Sequence, residues 1–314
     1  MLSFLIVLIG LSFLILVHEL GHFLAAKWFG VPVEEFGIGF PPRALAKKIG
    51  ETIYSLNYLF LGGFVKLEGE FANAGPGSFI SQSAYKKIII IIAGVAMNFV
   101  AGWLVLSAVF WLGTPPIILI DQVLIDSPAQ LVGLKTGDLV LGYQDPGRFV
   151  EFVNNNKSKE IEVKVQRQAQ TLSFQVKPRN DPPPGEGALG IQLRGGGAPP
   201  MGFKDGLING LISSLAIMGA IFAGLYQIVL APENIVGPVG IFDIAISTGQ
   251  IGWVYLLQLL ALISLNLAVL NILPIPALDG GRLLFVIIEK IRGQAFAPQV
   301  ENKANTWGFA FLIT

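Results

Sequence analysis

The chain has 314 residues, of which 53% are hydrophobic and 13% are charged, with a formal net charge of zero and no cysteine. This composition, with a mean hydropathy of +0.65, is typical of a protein that crosses a membrane several times. Zero net charge leaves no basic excess to neutralise phosphates, which argues against a nucleic-acid partner. The lack of cysteine excludes disulfides and thiolate ligands, so a zinc site must use histidine, aspartate or glutamate.

The first predicted element is an apolar helix at the N-terminus. Residues 1–17 carry no charged side chain, and the apolar run continues to about Phe29. It is too long for the hydrophobic region of a signal peptide, and no basic segment precedes it. We therefore expect a retained first transmembrane helix.

A polar motif of the HExxH pattern, His18-Glu19-Leu20-Gly21-His22, interrupts this helix and holds the only two histidines of the chain. In a helix, the two imidazoles lie one turn apart on one face, so both can reach one metal ion. Glu19 lies about 100° round the helix, where it can take a proton from water. Ionisable groups at membrane depth are costly and usually functional. The motif predicts a zinc hydrolase, and a pair of packing histidines with a snorkelling glutamate is the alternative.

Residues 30–87 are mixed and glycine-rich, and Pro41-Pro42 excludes a continuous helix there. Within them, residues 54–70 alternate loosely around Gly62-Gly63, which predicts a β-hairpin. Its apolar content suits a hairpin that enters the membrane beside the active site, and an ordinary interfacial loop is the alternative.

The second predicted span, residues 88–113, carries no charge. Lys86 and Lys87 lie at its start, and further basic residues follow the first span. The positive-inside rule therefore places the 30–87 segment in the cytoplasm. The N-terminus and the region after residue 113 are then expected outside.

From about residue 115 to 198 the sequence resembles that of a soluble domain, because charges return among short β-like runs. These runs are residues 117–120, 139–143, 161–166 and 172–176. The spacing of small and glycine residues between Ser127 and Asp138 resembles the helix and turn of one PDZ domain. Such a domain offers an open sheet edge to an extended peptide. The segments 181–187 and 195–200, rich in proline and glycine, are predicted to be loop and linker.

Residues 203–231 are apolar and long enough to cross a bilayer, and residues 252–273 form the next span. If both segments crossed, the later span would run outward and carry Asp279 away from the histidines. If residues 203–231 are interfacial or re-entrant, that span runs inward and Asp279 arrives beside His22. Parity therefore favours a segment that does not cross, whereas hydropathy alone favours a crossing.

The stretch ALDGGR at 277–282 places one acid in a turn after this span. Helix-breaking residues there let a carboxylate turn toward a cavity. Together with the histidine motif, Asp279 is predicted to be the third metal ligand, and helix capping is the alternative. Residues 307–314 begin like another span but stop short of the ~20 residues that a bilayer requires, so we expect truncation.

The histidine motif at 18–22 and the stretch NILPIPALDG at 271–280 resemble those of the site-2 proteases, a family of intramembrane zinc metalloproteases. The order of parts, with one PDZ-like insert between the second and third core spans, is similar to the bacterial regulator-of-sigma-E protease branch. Other segments that resemble this branch are Gly37-Ile38-Gly39, Gly62-Gly63-Phe64-Val65-Lys66, Ala93-Gly94 with Asn98, and Gly237-Pro238-Val239-Gly240.

The resemblance implies a polytopic α-helical membrane protein with a membrane-associated β-hairpin and an inserted α+β PDZ-like domain. It implies that His18, His22 and Asp279 bind Zn²⁺ and that Glu19 is the general base, although such ligands also accept other divalent ions. It further implies that Asn271 holds the substrate backbone and that the hairpin pairs with an unwound substrate strand. The hairpin residues concerned are Gly62, Gly63, Phe64, Val65 and Lys66.

Four parts are expected along the chain. Residues 1–113 form an N-terminal membrane core with the zinc-binding helix, a cytoplasmic-side hairpin and the second span. Residues 114–200 form an extracytoplasmic PDZ-like domain, and residues 201–250 a membrane-associated or re-entrant helical segment. Residues 251–314 form a C-terminal membrane core with the third ligand and a last helix that is cut short.

The expected activity is peptide hydrolysis within the bacterial inner (plasma) membrane, on its cytoplasmic side, in regulated intramembrane proteolysis. The implied substrates are single-span membrane proteins, such as trimmed anti-sigma factors or signal-peptide remnants. The PDZ-like domain would exclude bulky ectodomains or bind new C-termini, and the sequence leaves both open.

Two other classes of function remain open, a membrane transporter and a catalytically inactive scaffold that bears a PDZ domain. Broken helices and an intramembrane acid suit a transporter, but a transporter needs no Glu19 between two metal ligands. A scaffold has no physical reason to keep the three ligands and the base.

Overall fold

The computed structural model describes residues 2–70, 75–143, 145–167, 170–230, 252–294, 296 and 298–313. Its helices are α1 (Leu2–Trp28), α2 (Ala84–Leu112), α3 (Pro128–Leu131), α4 (Pro146–Asn155), α5 (Phe203–Leu230), α6 (Trp253–Ile272), α7 (Asp279–Arg292) and α8 (Pro298–Ile313), with a 3₁₀ turn at Phe79–Ser81. Its strands are β1 (Val33–Ile49), β2 (Thr52–Leu67), β3 (Thr114–Val123), β4 (Leu139–Val140), β5 (Ile161–Arg167), β6 (Gln170–Val176) and β7 (Ile191–Ala198). The described residues form two compact units, one of residues 108–206 with 252–256 and one of the remainder.

Among the described residues, the four helices α1, α2, α5 and α6 are long and apolar enough to cross a membrane. They coincide with the four apolar runs predicted from the sequence. Between 17% and 39% of the residues in their most apolar windows are buried inside the protein. The remaining apolar surface is that expected of helices in contact with lipid.

Small residues let these helices approach closely, as is common in membrane bundles. A Cβ added at Gly102 of α2 would lie 2.8 Å from Leu265 of α6. Leu106, Ala261 and Leu265 form a buried cluster at this contact. At Gly21 of α1, an added Cβ would overlap the backbone carbonyl of Ala93 in α2.

Helix α5 runs antiparallel to α2. Its first residue, Phe203, accepts a hydrogen bond from Trp111 Nε1 near the end of α2 (2.8 Å). Ser107, one turn earlier in α2, packs against Gly210, two turns further along α5. A Cβ at Gly210 would overlap the side chain of Ser107. The two helices therefore progress in opposite directions.

Helix α6 also runs antiparallel to α2. Tyr255 near its start donates through its hydroxyl to the carbonyl of Pro115, just after α2 (2.7 Å). Ser264 Oγ, further along α6, donates to the carbonyl of Asn98 in the middle of α2 (2.7 Å). The two long helices on either side of residues 231–251 thus run in the same direction. The residues between them, 231–251, include the motif at 237–240 and lie outside the described residues.

Strands β1 and β2 pair with each other to form a sheet. Residues 43–49 pair with 52–57, and residues 33–38 pair with 63–67, while residues 35–38 also pair with 53–56. The turn therefore lies at residues 50–51, and the turn predicted at Gly62-Gly63 is wrong, because both glycines lie inside β2. They serve close packing instead. A Cβ at Gly62, whose φ is +104°, would lie 3.1 Å from Ile15 of α1.

The other unit is built on a five-stranded sheet in the order β6-β5-β4-β3-β7, in which all neighbours are antiparallel. Strands β3 to β6 coincide with the four predicted β-runs. The linker predicted at 195–200 is wrong for residues 195–198, which belong to β7 and pair with β3. The glycines in β7 leave room for the side chains of neighbouring residues, since a Cβ at Gly196 would lie only 2.8 Å from Ile117.

Candidate metal centre and active site

The two histidines of α1 face the same point. His18 and His22 are buried, with 7% and 9% of their surface exposed, and their Nε2 atoms are 3.1 Å apart. His22 Nδ1 lies 2.8 Å from the carbonyl oxygen of Ile90 in α2. A proton on Nδ1 is therefore held by that carbonyl, which leaves the Nε2 lone pair for a ligand.

Asp279, the first residue of α7, completes the group. Its Oδ2 is 2.9 Å from His18 Nε2 and 3.3 Å from His22 Nε2. The turn before it is tight, because a Cβ at Gly280 would overlap the backbone of residues 272 and 273 at the end of α6. The structure thus brings Asp279 to the two histidines, from which more than 250 residues separate it in the sequence.

These three side chains fit a divalent metal ion. Their ligand atoms all lie within 4.8 Å of one another. With neutral imidazoles protonated on Nδ1, Asp279 Oδ2 is buried without a hydrogen-bond donor among the described residues. Two imidazoles and a carboxylate form a ligand set of catalytic zinc sites, which keep a fourth position open.

Gly94 of α2 forms the wall beside the two rings. A Cβ at this position would overlap His22 Nε2 and lie 2.8 Å from His18 Cε1. Only glycine leaves room for both imidazoles in this arrangement. In the sequence, only the family resemblance distinguishes Gly94 from other glycines.

Asn98, one turn after Gly94, contacts the other nitrogen of His18. Asn98 is fully buried, its Nδ2 lies 3.3 Å from His18 Nδ1, and its Oδ1 has no hydrogen-bond partner among the described residues. When His18 uses Nε2 as the ligand atom, Nδ1 carries a proton. A half-turn of the amide lets Oδ1 accept a hydrogen bond from Nδ1–H, which satisfies this oxygen and orients the ring.

Glu19 lies beside the two histidines and lines the same cavity. Its Oε2 accepts a hydrogen bond from the backbone N–H of Val65 in β2 (3.0 Å). This contact fixes the carboxylate next to the group of ligands and joins it to the two-stranded sheet.

A cavity of about 1040 Å³ opens over these side chains. Asn271 lines it, as do four of the five predicted hairpin residues, Gly63, Phe64, Val65 and Lys66. Gly62 packs instead against Ile15 of α1.

An ion pair missed by the sequence analysis also lines the cavity. Arg282 of α7 pairs with Glu70, which follows β2. Glu70 Oε2 also accepts from the backbone N–H of Leu67 at the end of β2 (3.3 Å). The pair therefore connects β2 with the helix that begins at Asp279. Because Glu70 and Arg282 lie far apart in the sequence, no local sequence pattern predicts that they pair.

Comparisons with known proteins agree with this geometry. Residues 6–314 match peptidase family M50. A protein of Fusobacterium nucleatum named as a zinc metalloprotease is 31% identical, over 99% of this chain and 95% of that protein. A protein of the same description from a Nostoc species is 31% identical, over 96% and 90% of the two chains. The regulator of sigma-W protease RasP of Bacillus subtilis is 28% identical, over 96% and 93%.

These matches confirm the family and the zinc cofactor that the two sequence motifs predicted. They also agree with the apolar helices, which make this a multi-pass membrane protein. The chain belongs to peptidase family M50, the site-2 protease family, and is a zinc metalloprotease.

Proposed function

We propose that this metalloprotease hydrolyses peptide bonds within the transmembrane segments of single-span membrane proteins. One observation carries the proposal: the candidate ligand group lies in and beside helices that are long and apolar enough to cross a membrane. His18 and His22 belong to a membrane-length apolar helix, and Asp279 follows another by a short turn. A substrate must enter the bilayer to reach them.

In the proposed mechanism, His18, His22 and Asp279 would hold the zinc ion. When bound, zinc would supply Lewis acidity that lowers the pKa of a water molecule to ~7. Glu19 takes the proton of the attacking water and passes it to the leaving amine nitrogen. The hydrogen bond from Val65 to Oε2 orients Glu19 and leaves its other oxygen for this transfer.

A scissile bond inside a helix is protected by its own hydrogen bonds, so the substrate must unwind before cleavage. Residues 63–67 of β2 pair along one edge with residues 33–38 of β1, and among the described residues no strand pairs with the other edge of this segment. Val65 directs its N–H toward Glu19 at this edge. An unwound substrate can add there as a strand, with Asn271 near its backbone, which would satisfy its peptide groups within the membrane.

We propose that the metal centre lies on the cytoplasmic side of a bacterial inner membrane and that the N-terminus lies outside. Lys86 and Lys87 at the start of α2 support this orientation. Because α6 runs antiparallel to α2, it would begin on the outer side and end near the histidines. Residues 201–250 then make no net crossing.

We propose that the five-stranded unit is an extracytoplasmic PDZ-like domain. Its outer strand β7 lies at a sheet edge next to α4, where Gly195 faces Pro146. Such an edge can accept a peptide C-terminus, and a folded domain outside can also exclude bulky ectodomains. Anti-sigma-factor-like proteins and signal-peptide remnants fit either role, in regulated intramembrane proteolysis.

The test uses the full chain in proteoliposomes with a single-span reporter that has a short ectodomain and helix-breaking residues in its span. Wild type, Glu19→Gln and the matched surface control Glu151→Gln are compared, with and without a zinc chelator, and products are mapped by mass spectrometry. We expect a cut inside the span for wild type and Glu151→Gln only, and none with the chelator. Cleavage outside the span, or cleavage by Glu19→Gln, would contradict the proposal.

A protein that binds zinc but never cuts the reporter would favour the transporter or the scaffold. A transport assay then separates these two, because Glu19→Gln should leave transport intact.

A further inference from the structure

Helix α7 (Asp279–Arg292) exposes an apolar face. Leu284, Ile287 and Ile291 are 41%, 40% and 80% exposed. Their spacing of three and four residues places them on one side of the helix. These three residues are called the outer face of α7.

The opposite side of α7 carries charged groups that face the protein. Arg282 pairs with Glu70, and Glu289 lies 3.9 Å from Lys87 Nζ. The side chains of Glu289 and Lys87 are only 15% and 11% exposed. Glu289 Oε1 also accepts from the backbone N–H of Phe296 (2.8 Å). Charges that a water-exposed helix would direct outward are thus directed inward.

This inverted arrangement is unfavourable in water, where a surface helix directs its polar side chains outward. Against lipid it is the expected one, because ionisable groups turn to the protein interior and apolar groups to the acyl chains. The helix has 14 residues. Its length of ~21 Å is less than the ~30 Å hydrocarbon core, so it cannot span the bilayer.

The position of α7 in the chain identifies the lipid that it meets. Only residues 273–278 separate it from α6, whose apolar surface is that of a membrane span. Lys290 and Arg292 lie in its last turn and are exposed. Basic residues at the end of an apolar face are typical of helices that lie in the boundary between acyl chains and anionic headgroups.

We propose that α7 lies along the membrane boundary, with its outer face among the acyl chains and with Lys290 and Arg292 at anionic headgroups. The partner of this surface is the bilayer itself. Because α7 begins at Asp279, contact with lipid sets the depth of that residue relative to the histidines of α1. The contact of α7 with lipid does not depend on which substrate the enzyme cleaves.

The absence of cysteine from the chain allows a direct test. Leu284→Cys, Ile287→Cys and Ile291→Cys are each labelled with a small fluorophore in the full chain, reconstituted in phosphatidylcholine–phosphatidylglycerol vesicles. Leu104→Cys on the exposed side of α2 is the lipid reference, and Lys159→Cys on the five-stranded unit is the aqueous reference. Quenching by brominated acyl chains is compared with quenching by iodide, and an unchanged zinc content shows that each variant is folded.

We expect the three probes to behave like Leu104→Cys, with several-fold stronger quenching by brominated lipid than by iodide. Quenching mainly by iodide overturns the proposal. Weak quenching by both also overturns it, because protein would then cover the outer face.

The headgroup contact is tested in the same vesicles. Quenching at Ile287→Cys should grow with the phosphatidylglycerol fraction, and Lys290→Gln together with Arg292→Gln should abolish that growth. If the double substitution leaves the dependence unchanged, the two basic residues do not bind headgroups.

Discussion

The backbone N–H of Val65 and the carboxylate of Glu19 are joined by a hydrogen bond of 3.0 Å, across a separation of 46 residues. Strand β2 and helix α1 therefore share one fixed point beside the metal ligands. In the proposed mechanism, a substrate strand paired with β2 would be held in a defined register relative to Glu19, the proposed general base. The contact would then connect substrate binding with catalysis.

Glu19→Gln should lower the rate of peptide hydrolysis by about 10²–10⁴-fold, because the amide cannot accept the proton of the attacking water. The amide oxygen can still accept from Val65, so the position of the side chain should be kept. Zinc content, measured by elemental analysis, should equal that of wild type. Loss of zinc in this variant would show that Glu19 is a ligand rather than a base.

Removal of zinc should lower the thermal unfolding temperature, since a ligand bound only by the folded state stabilises it. Added zinc should restore the temperature for wild type. The unfolding temperature of His22→Ala should not change when zinc is removed or added, because only two of the three ligand residues remain to hold the ion. A zinc-dependent shift of wild-type size in His22→Ala would place the metal elsewhere.

Gly94→Ala should weaken zinc binding, because the added Cβ would overlap the ring of His22. The control is Gly219→Ala in α5, where an added Cβ has no neighbour within 4 Å. The control should keep zinc affinity and gain up to ~1 kcal/mol of stability from helix propensity. Chelator competition measures both variants, and equal affinities would refute the role of Gly94.

Asn98→Ala should reduce zinc affinity by about 10–100-fold, the effect usual for residues that orient a metal ligand. Asn98→Asp keeps an acceptor for His18 Nδ1 and should retain more affinity. Ser264→Ala removes a hydrogen bond to the backbone of the same residue and serves as the control. If all three variants lose affinity equally, Asn98 acts through packing alone.

Arg282→Glu should destabilise the protein by about 1–3 kcal/mol, because two carboxylates would then face each other between α7 and β2. The reversed pair, Glu70→Arg with Arg282→Glu, should recover part of that loss. The free energy of unfolding in a double-mutant cycle measures the coupling. A coupling energy near zero would show that the pair does not connect the two elements.

Local spacing accounts for what the sequence predicted. The two histidines and Glu19 lie within five residues, and helix periodicity alone places them together. The sequence indicates Asp279 as a candidate metal ligand only in combination with the histidine motif. Asn98, Arg282 and Glu70 contribute through contacts between distant elements, which no single segment reveals.

In the strands, too, the role of a residue depends on contacts that the local sequence does not reveal. The sequence predicts a turn at glycines 62 and 63, whereas in the structure these glycines allow β2 to approach Ile15 of α1. The sequence predicts a linker at 195–200, whereas the glycines at 195–197 leave room for Ile117 and Pro146 beside β7. A glycine that permits close packing and a glycine that permits a turn are the same letter in the sequence.

The order of the candidate ligands along the chain also bears on the biogenesis of the enzyme. His18 and His22 leave the ribosome well before Asp279, which follows only after the five-stranded unit, α5 and α6. A nascent chain therefore holds an incomplete set of ligands while it is being inserted into the membrane. The order of synthesis itself delays the formation of a competent protease until the helices have been placed.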